Sequence, residues 1–152
     1  MTGGKIDEKI IADRVLWIRQ MVDGIRDLSI SDKDNFLRKR HTVAAAESYL
    51  RRALEALFDV GRHILARKYA HPATEYKEVA AALYDRGVID AVQFDRMKKM
   101  AGYRNRMVQF YHEISPEELW DICSNHLSDI DLLLDALIGW LSRQTDSRSG
   151  HA

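Results

Sequence analysis

The chain has 152 residues, is 46% hydrophobic, and carries 23 lysines and arginines against 23 aspartates and glutamates. That suffices for one domain with a substantial core, while zero net charge argues against a general nucleic-acid coat, which works by neutralising many phosphates. The lone cysteine, Cys123, excludes an intrachain disulfide framework and a cysteine-based metal site. No apolar run reaches the roughly 20 residues needed to cross a bilayer, and the first residues lack a signal-peptide segment, so a cytoplasmic protein with no membrane partner is expected.

Ile11, Val15, Ile18, Val22 and Ile25 form a narrow apolar seam, which predicts a first helix from about Lys5 to Arg26. Ser31 and Asp32 are plausible caps for a long second helix with a stripe through Val43, Leu50, Leu57 and Ile64. Gly61 is a point of local loosening, and the end falls near Tyr69, before His71-Pro72. A third helix fits Glu75 to Asp85, capped by Thr74 and closed by Gly87. Asp90 and Gln93 have capping-box spacing and open a fourth.

Ser115-Pro116-Glu117-Glu118 is a stronger start signal, with a cap, a proline at the first helical position and a glutamate three residues after the cap. The fourth helix must therefore end between Gln109 and Glu113. In the last helix Leu119, Cys123, Leu127, Ile130, Leu134, Leu137 and Leu141 repeat at four-then-three spacing, closing near Trp140 to Ser142. The fold class is all-α, an up-and-down bundle of about five helices. It forms one domain over 1–143, with a disordered polar tail over 144–152. The seams of the first and last helices suit pairing with a second copy of the chain.

The fourth helix carries unusual chemistry. Phe94, Met97 and Ala101 trace a core-facing stripe, and its continuation gives Arg104, Val108 and Tyr111. Arginine cannot shed its charge, so that position needs a partner, an anion or a wet cleft. Arg104, Asn105, Arg106, Gln109, Tyr111 and His112 fall within about two turns, and Arg104, Gln109, Tyr111 and His112 converge only if the helix unwinds near Gln109. The guanidinium is a planar fork suited to phosphate. The competing reading is structural: Arg104 paired with a carboxylate such as Asp95 or Glu47, and Tyr111 packed in the core.

Other basic groups could join a local site if they meet in space: Arg38-Lys39-Arg40-His41, Arg51-Arg52 and Lys98-Lys99. Most such clusters are solvated helix faces. His41, His63, His71 and His126 are scattered, Cys123 lies on the apolar seam, and no Gly-rich phosphate loop, paired metal signature or nucleophile elbow is present.

The segment 100–111 (MAGYRNRMVQFY) resembles the signature of HepT-like toxins, a HEPN (higher eukaryotes and prokaryotes nucleotide-binding) family whose members read Arg-Asn, two or three residues, then His-x-Tyr. Segments 53–66 (ALEALFDVGRHILA) and 83–90 (LYDRGVID) are similar to this family too, so the resemblance spans roughly Arg40 to Leu137. It implies a dimeric helical bundle that cleaves RNA, with tRNA and mRNA both open, without metal or cofactor. By that resemblance Arg104 binds the scissile phosphate, Asn105 supports it, and the family histidine moves a proton at the ribose 2′-hydroxyl. Tyr111 falls where an MntA-type minimal nucleotidyltransferase antitoxin adds AMP, placing anionic phosphates beside Arg104.

One departure matters. Gln109 occupies the histidine position, and an amide exchanges no proton near neutral pH. Three accounts stand open: an engineered inactive form, a natural member that keeps only a binding role, and replacement by His112. The last is allowed because Arg106 and His112 also fit the looser HEPN spacing. The competing functional class is a non-catalytic module that binds nucleotide or a nucleotidyltransferase.

Overall fold

The computed structural model describes residues 4–109 and 114–149, with side chains as far as Gln144. Four of its helix starts follow from side-chain caps. Asp7 accepts from the backbone N–H groups of Lys9 and Ile10 and opens α1 (Glu8–Arg26). Asp32 accepts from Asn35 N–H and opens α2 (Lys33–Arg38). The long second helix expected from here to Tyr69 is broken: Lys39 is extended (φ −102°, ψ 95°), and α3 runs from Arg40 to Tyr69 without a side-chain cap. The break lies in the Arg38-Lys39-Arg40-His41 run, which contains neither glycine nor proline. It lets α2 pack against both α3 and a later helix that begins at Pro116, with Phe36 fully buried.

The next helix, α4 (Tyr76–Asp85), starts after Glu75, so Thr74 is not its cap; the Thr74 carbonyl accepts from Arg62 instead. Gly87 follows the helix end in the left-handed region (φ 74°), where a side chain would be strained. The capping box is present: Asp90 accepts from Gln93 N–H at 2.8 Å, Gln93 accepts from Asp90 N–H at 2.9 Å, and α5 (Ala91–Val108) follows. Ser115 caps α6 (Pro116–Asp121) with proline in its first turn, as expected.

The last rod is not one uniform α-helix. A π turn over Ile122–His126 separates α6 from α7 (Leu127–Ser149), while the backbone stays right-handed throughout. It continues to Ser149, where a disordered tail was expected from Gln144; no proline or glycine interrupts the sequence between Gly139 and Gly150. The five expected helices are thus seven α-helices and one π turn among the described residues, and no strand occurs there.

Helix α3 runs through the centre. It packs antiparallel to α1, with Asp7 N–H donating to His63 Nε2 at 3.0 Å at one end and Arg14 facing Asp59 further along. Ile18 and Ile25 from α1, Leu50, Leu54, Leu57 and Ile64 from α3, Met97 from α5 and Leu134 from α7 are fully sealed from water. Each such burial contributes about 1.5–3 kcal/mol. Gly61 does not loosen α3. A Cβ there would stand 3.0 Å from both Leu83 Cδ1 and Val79 Cγ1, so the glycine permits close approach of α4. No helix among the described residues is long and apolar enough to cross a membrane.

His63 accepts a backbone N–H and must be neutral to do so. Burial, with Arg67 nearby, lowers its pKa from the ordinary 6.5, against the opposing pull of Asp7. A lowered native pKa means its contribution is complete above the unfolded value and fades as pH falls through it towards the native one. Acidification from about pH 7.5 to about pH 5.5 should therefore lower Tm more in wild type than in His63→Gln, which keeps an acceptor but does not titrate. Equal shifts in thermal melts would remove His63 as the cause.

Candidate functional site

Helix α5 buries Met97, Met100 and Ala101, and Arg104 follows where the core gives out. Its side chain is 22% exposed, and its guanidinium carbon lies 4.2 Å from the centre of the Tyr76 ring. Glu55 Oε2 is 3.9 Å from Arg104 Nη2, close enough for charge attraction but beyond hydrogen-bond length. Arg104 Nε is out of water and has no hydrogen-bond partner. The partner is therefore Glu55, not Asp95 or Glu47, and it holds the fork only loosely.

Tyr76 heads α4 in phase with Val79, Ala80 and Leu83, which turns its ring inward, and Phe58 of α3 meets it edge-on at 4.9 Å. A second guanidinium, from Arg62, stands 4.6 Å from the same ring; its Nε also lacks a partner. Two α3 carboxylates are each shared between two arginines. Glu55 accepts from Arg51 at 2.7 Å and faces Arg104, while Asp59 lies 3.4 Å from Arg62 and 3.8 Å from Arg14. Cations gather round these carboxylates and round an aromatic face that attracts them. The corner can take an anion without first breaking a short carboxylate bond to Arg104.

Asn105 is partly buried, and its carbonyl accepts from Gln109 N–H at 3.0 Å. Helix α5 stops at Val108; Gln109 is exposed and extended (φ −91°, ψ 127°). The chain thus leaves the helix where convergence of the motif requires it to. Tyr111 and His112 lie outside the described residues. Val108, expected on the core stripe, is 49% exposed, while Met107 beside it packs against the core.

Arg106 points elsewhere. Its Nη1 donates to Glu118 Oε2 at 2.6 Å, tying α5 to α6. Tyr103 lies on that side as well. Burial and then the charges of Glu118, Asp121 and Asp129 raise its pKa despite Arg106, so the phenol stays protonated. Cys123 is buried, with its thiol pushed up to about 12, which suits a core position. Lys98 lies over Phe94 and Lys99 pairs with Asp95, so that basic pair is local. Of the other clusters, Arg51 is brought to Arg104 through Glu55.

Tyr76, Glu55 and Arg62 were not singled out in the sequence. The available signal was a tyrosine heading the apolar stripe of α4. Local periodicity says nothing about which distant cation it meets.

The family described as ribonuclease HepT-like matches residues 18–137. The mRNA nuclease HepT of Shewanella oneidensis is 23% identical over 128 residues, covering 84% of this chain and 96% of that protein. The solved tri-AMPylated Shewanella oneidensis HEPN toxin, in complex with MNT antitoxin, superposes with a TM-score of 0.79 at 22% identity over 88% of this chain and 99% of its own. YutE of Bacillus subtilis, a cytosolic protein of unknown function, gives a TM-score of 0.76 at 17% identity over 95% of each chain. These likenesses show a shared fold.

If the Tyr76 ring carries both guanidinium groups, Tyr76→Phe should leave stability within about 0.5 kcal/mol. Tyr76→Leu should lose about 1–2 kcal/mol in urea unfolding from the cation–π contacts alone. Indistinguishable Phe and Leu variants would show that the ring face contributes nothing.

Proposed function

This chain belongs to the HepT-like ribonuclease family, and we propose that it is the toxin of a toxin–antitoxin pair, a homodimeric, cytoplasmic, metal-independent RNA endonuclease weakened by Gln109. The observation carrying the reading is the setting of Arg104. Its permanent cation is held by a ring face at the edge of the core, loosely paired, just before α5 unwinds at Gln109. Arg104 binds the scissile phosphate and stabilises charge developing on it, and Asn105 supports the turn. Gln109 offers hydrogen bonds there but no proton transfer.

Arg106 is a poor substitute for Arg104, because it is engaged by Glu118. That disfavours relocating the chemistry to Arg106 and His112. The proposed partner is an MntA-type minimal nucleotidyltransferase that adds AMP to Tyr111. The AMPylated state of the structurally similar HEPN toxin supports this. A second reading, a non-catalytic module binding nucleotide or the nucleotidyltransferase, is favoured by Gln109 and by zero net charge.

Gln109→His should create or strengthen RNA cleavage and growth inhibition. Adding Arg104→Ala to it should reduce the cleavage rate by about 10²–10³. A folded Gln109→His protein that cleaves no RNA would leave the binding-module reading. Co-expression with the nucleotidyltransferase should yield AMP-bearing peptides containing Tyr111 by mass spectrometry; a stable complex with unmodified Tyr111 would count against the antitoxin mechanism.

A further inference from the structure

We propose that the groove between α1 and α3 is a subsite for single-stranded RNA, in which Trp17 stacks a base and Arg52 takes a neighbouring phosphate. The inference rests on the reading of Arg104 as the group that binds the scissile phosphate. The groove has a volume of about 350 Å³; Trp17 and Arg14 of α1 form one wall, and Arg51, Arg52, Glu55 and Asp59 of α3 form the other.

Trp17 is unlike the other tryptophans. Trp120 donates its indole N–H to the Ile30 carbonyl at 2.8 Å, and Trp140 packs against Tyr69 in the core. Trp17 is 40% exposed and makes no hydrogen bond, ring or cation contact among the described residues. An indole left in water beside arginines has the composition of a base-stacking platform, which is sequence-tolerant because every base has a π face.

The second element is Arg52. The groove is lined by three guanidinium groups (Arg14, Arg51 and Arg52) and three carboxylates (Asp13, Glu55 and Asp59), so its lining is charge-balanced, and Arg62 and Arg104 meet it only through Asp59 and Glu55. Glu55 and Asp59 are already shared between arginines, and Arg52 is exposed with no carboxylate partner among the described residues. The groove therefore offers a phosphate the Arg52 guanidinium rather than a field of excess positive charge.

Continuity is the third element. Glu55 lines the groove and also faces Arg104 at 3.9 Å, so the groove begins where the Arg104 corner ends. Arg51 and Arg52 lie about one helical turn further along α3, a step of roughly 5–6 Å. A strand whose phosphate rests on Arg104 would run along α3 and bring a nearby base to Trp17. Stacking on Trp17 needs a base with a free face, which an unpaired strand offers and a duplex does not.

The test is fluorescence anisotropy with a short labelled single-stranded RNA, over a salt series, using the full chain. Trp17→Ala should weaken binding roughly tenfold while Trp17→Phe keeps most of it. Arg52→Gln should weaken binding and reduce the salt slope by about 0.7, the value for one phosphate contact on a single strand. If Arg104→Ala weakens binding but the Trp17 and Arg52 variants bind as wild type, the subsite is wrong and the Arg104 reading stands. If wild type binds no RNA, the Arg104 reading fails and takes the subsite with it. A duplex bound as tightly as the single strand would refute stacking. A change of oligomeric mass in Trp17→Ala by light scattering would reassign the groove to contact between copies.

Discussion

Arginine cannot become neutral on burial, and the site is built round that constraint. Arg104 lies at the rim of a core whose next inward residues on α5, Ala101 and Met97, are completely dry. A tight carboxylate partner would satisfy the charge and also occupy the fork. Here the charge rests mainly on the Tyr76 ring, with Glu55 at a distance that lowers the potential without making a short bond. The arrangement has a cost. Arg104 Nε and Arg62 Nε are both buried without acceptors, and an unmade buried bond costs about 1–3 kcal/mol. A fold optimised only for stability would supply those acceptors.

The polar stripe of α3 supplies the carboxylates of the site. Arg51, Glu55, Asp59 and Arg62 recur at three- and four-residue spacing on the helix whose opposite face fills the centre of the molecule. Each carboxylate serves one arginine on its own helix and one from a neighbour, Arg104 of α5 or Arg14 of α1. The central helix therefore fixes the core and the electrostatics of the site together. Closing α1 against it, with His63 holding the N-terminal end of α1, also builds the wall that carries Trp17.

Most helix starts with a dedicated cap were legible because caps are local, although the start expected near Lys5 falls at Glu8, after the Asp7 cap. Asp90 with Gln93, and Ser115 with Pro116 and Glu118, were read directly from the sequence. Lys39 was not, because the break carries no glycine or proline and the stripe from Val43 onward needs nothing from α2. The π turn left a faint trace. In the run Leu119, Cys123, Leu127, Ile130 the spacing is four and four before three, the one place in the seam where two fours follow each other. All four residues are buried, as a widened turn would allow. Arg104 was legible as an anomaly in a stripe. Its neighbours were not, because Tyr76 and Glu55 come from other helices and nothing in local periodicity links them to α5.

The division between Arg104 and Arg106 follows from helical geometry. Two residues apart, they point about 200° away from each other round α5. The side facing α6 offers Glu118, which binds Arg106 at 2.6 Å, and that contact holds α6 against α5 immediately after the connecting segment. The side facing α3 and α4 offers a ring and a shared carboxylate, which leave Arg104 partly unsatisfied. One cation fixes where the chain re-enters the bundle, and the other remains available to an anion. Exchanging their surroundings would remove both effects, since a tightly paired Arg104 would be closed and a loosely held Arg106 would leave α6 without its tie to α5.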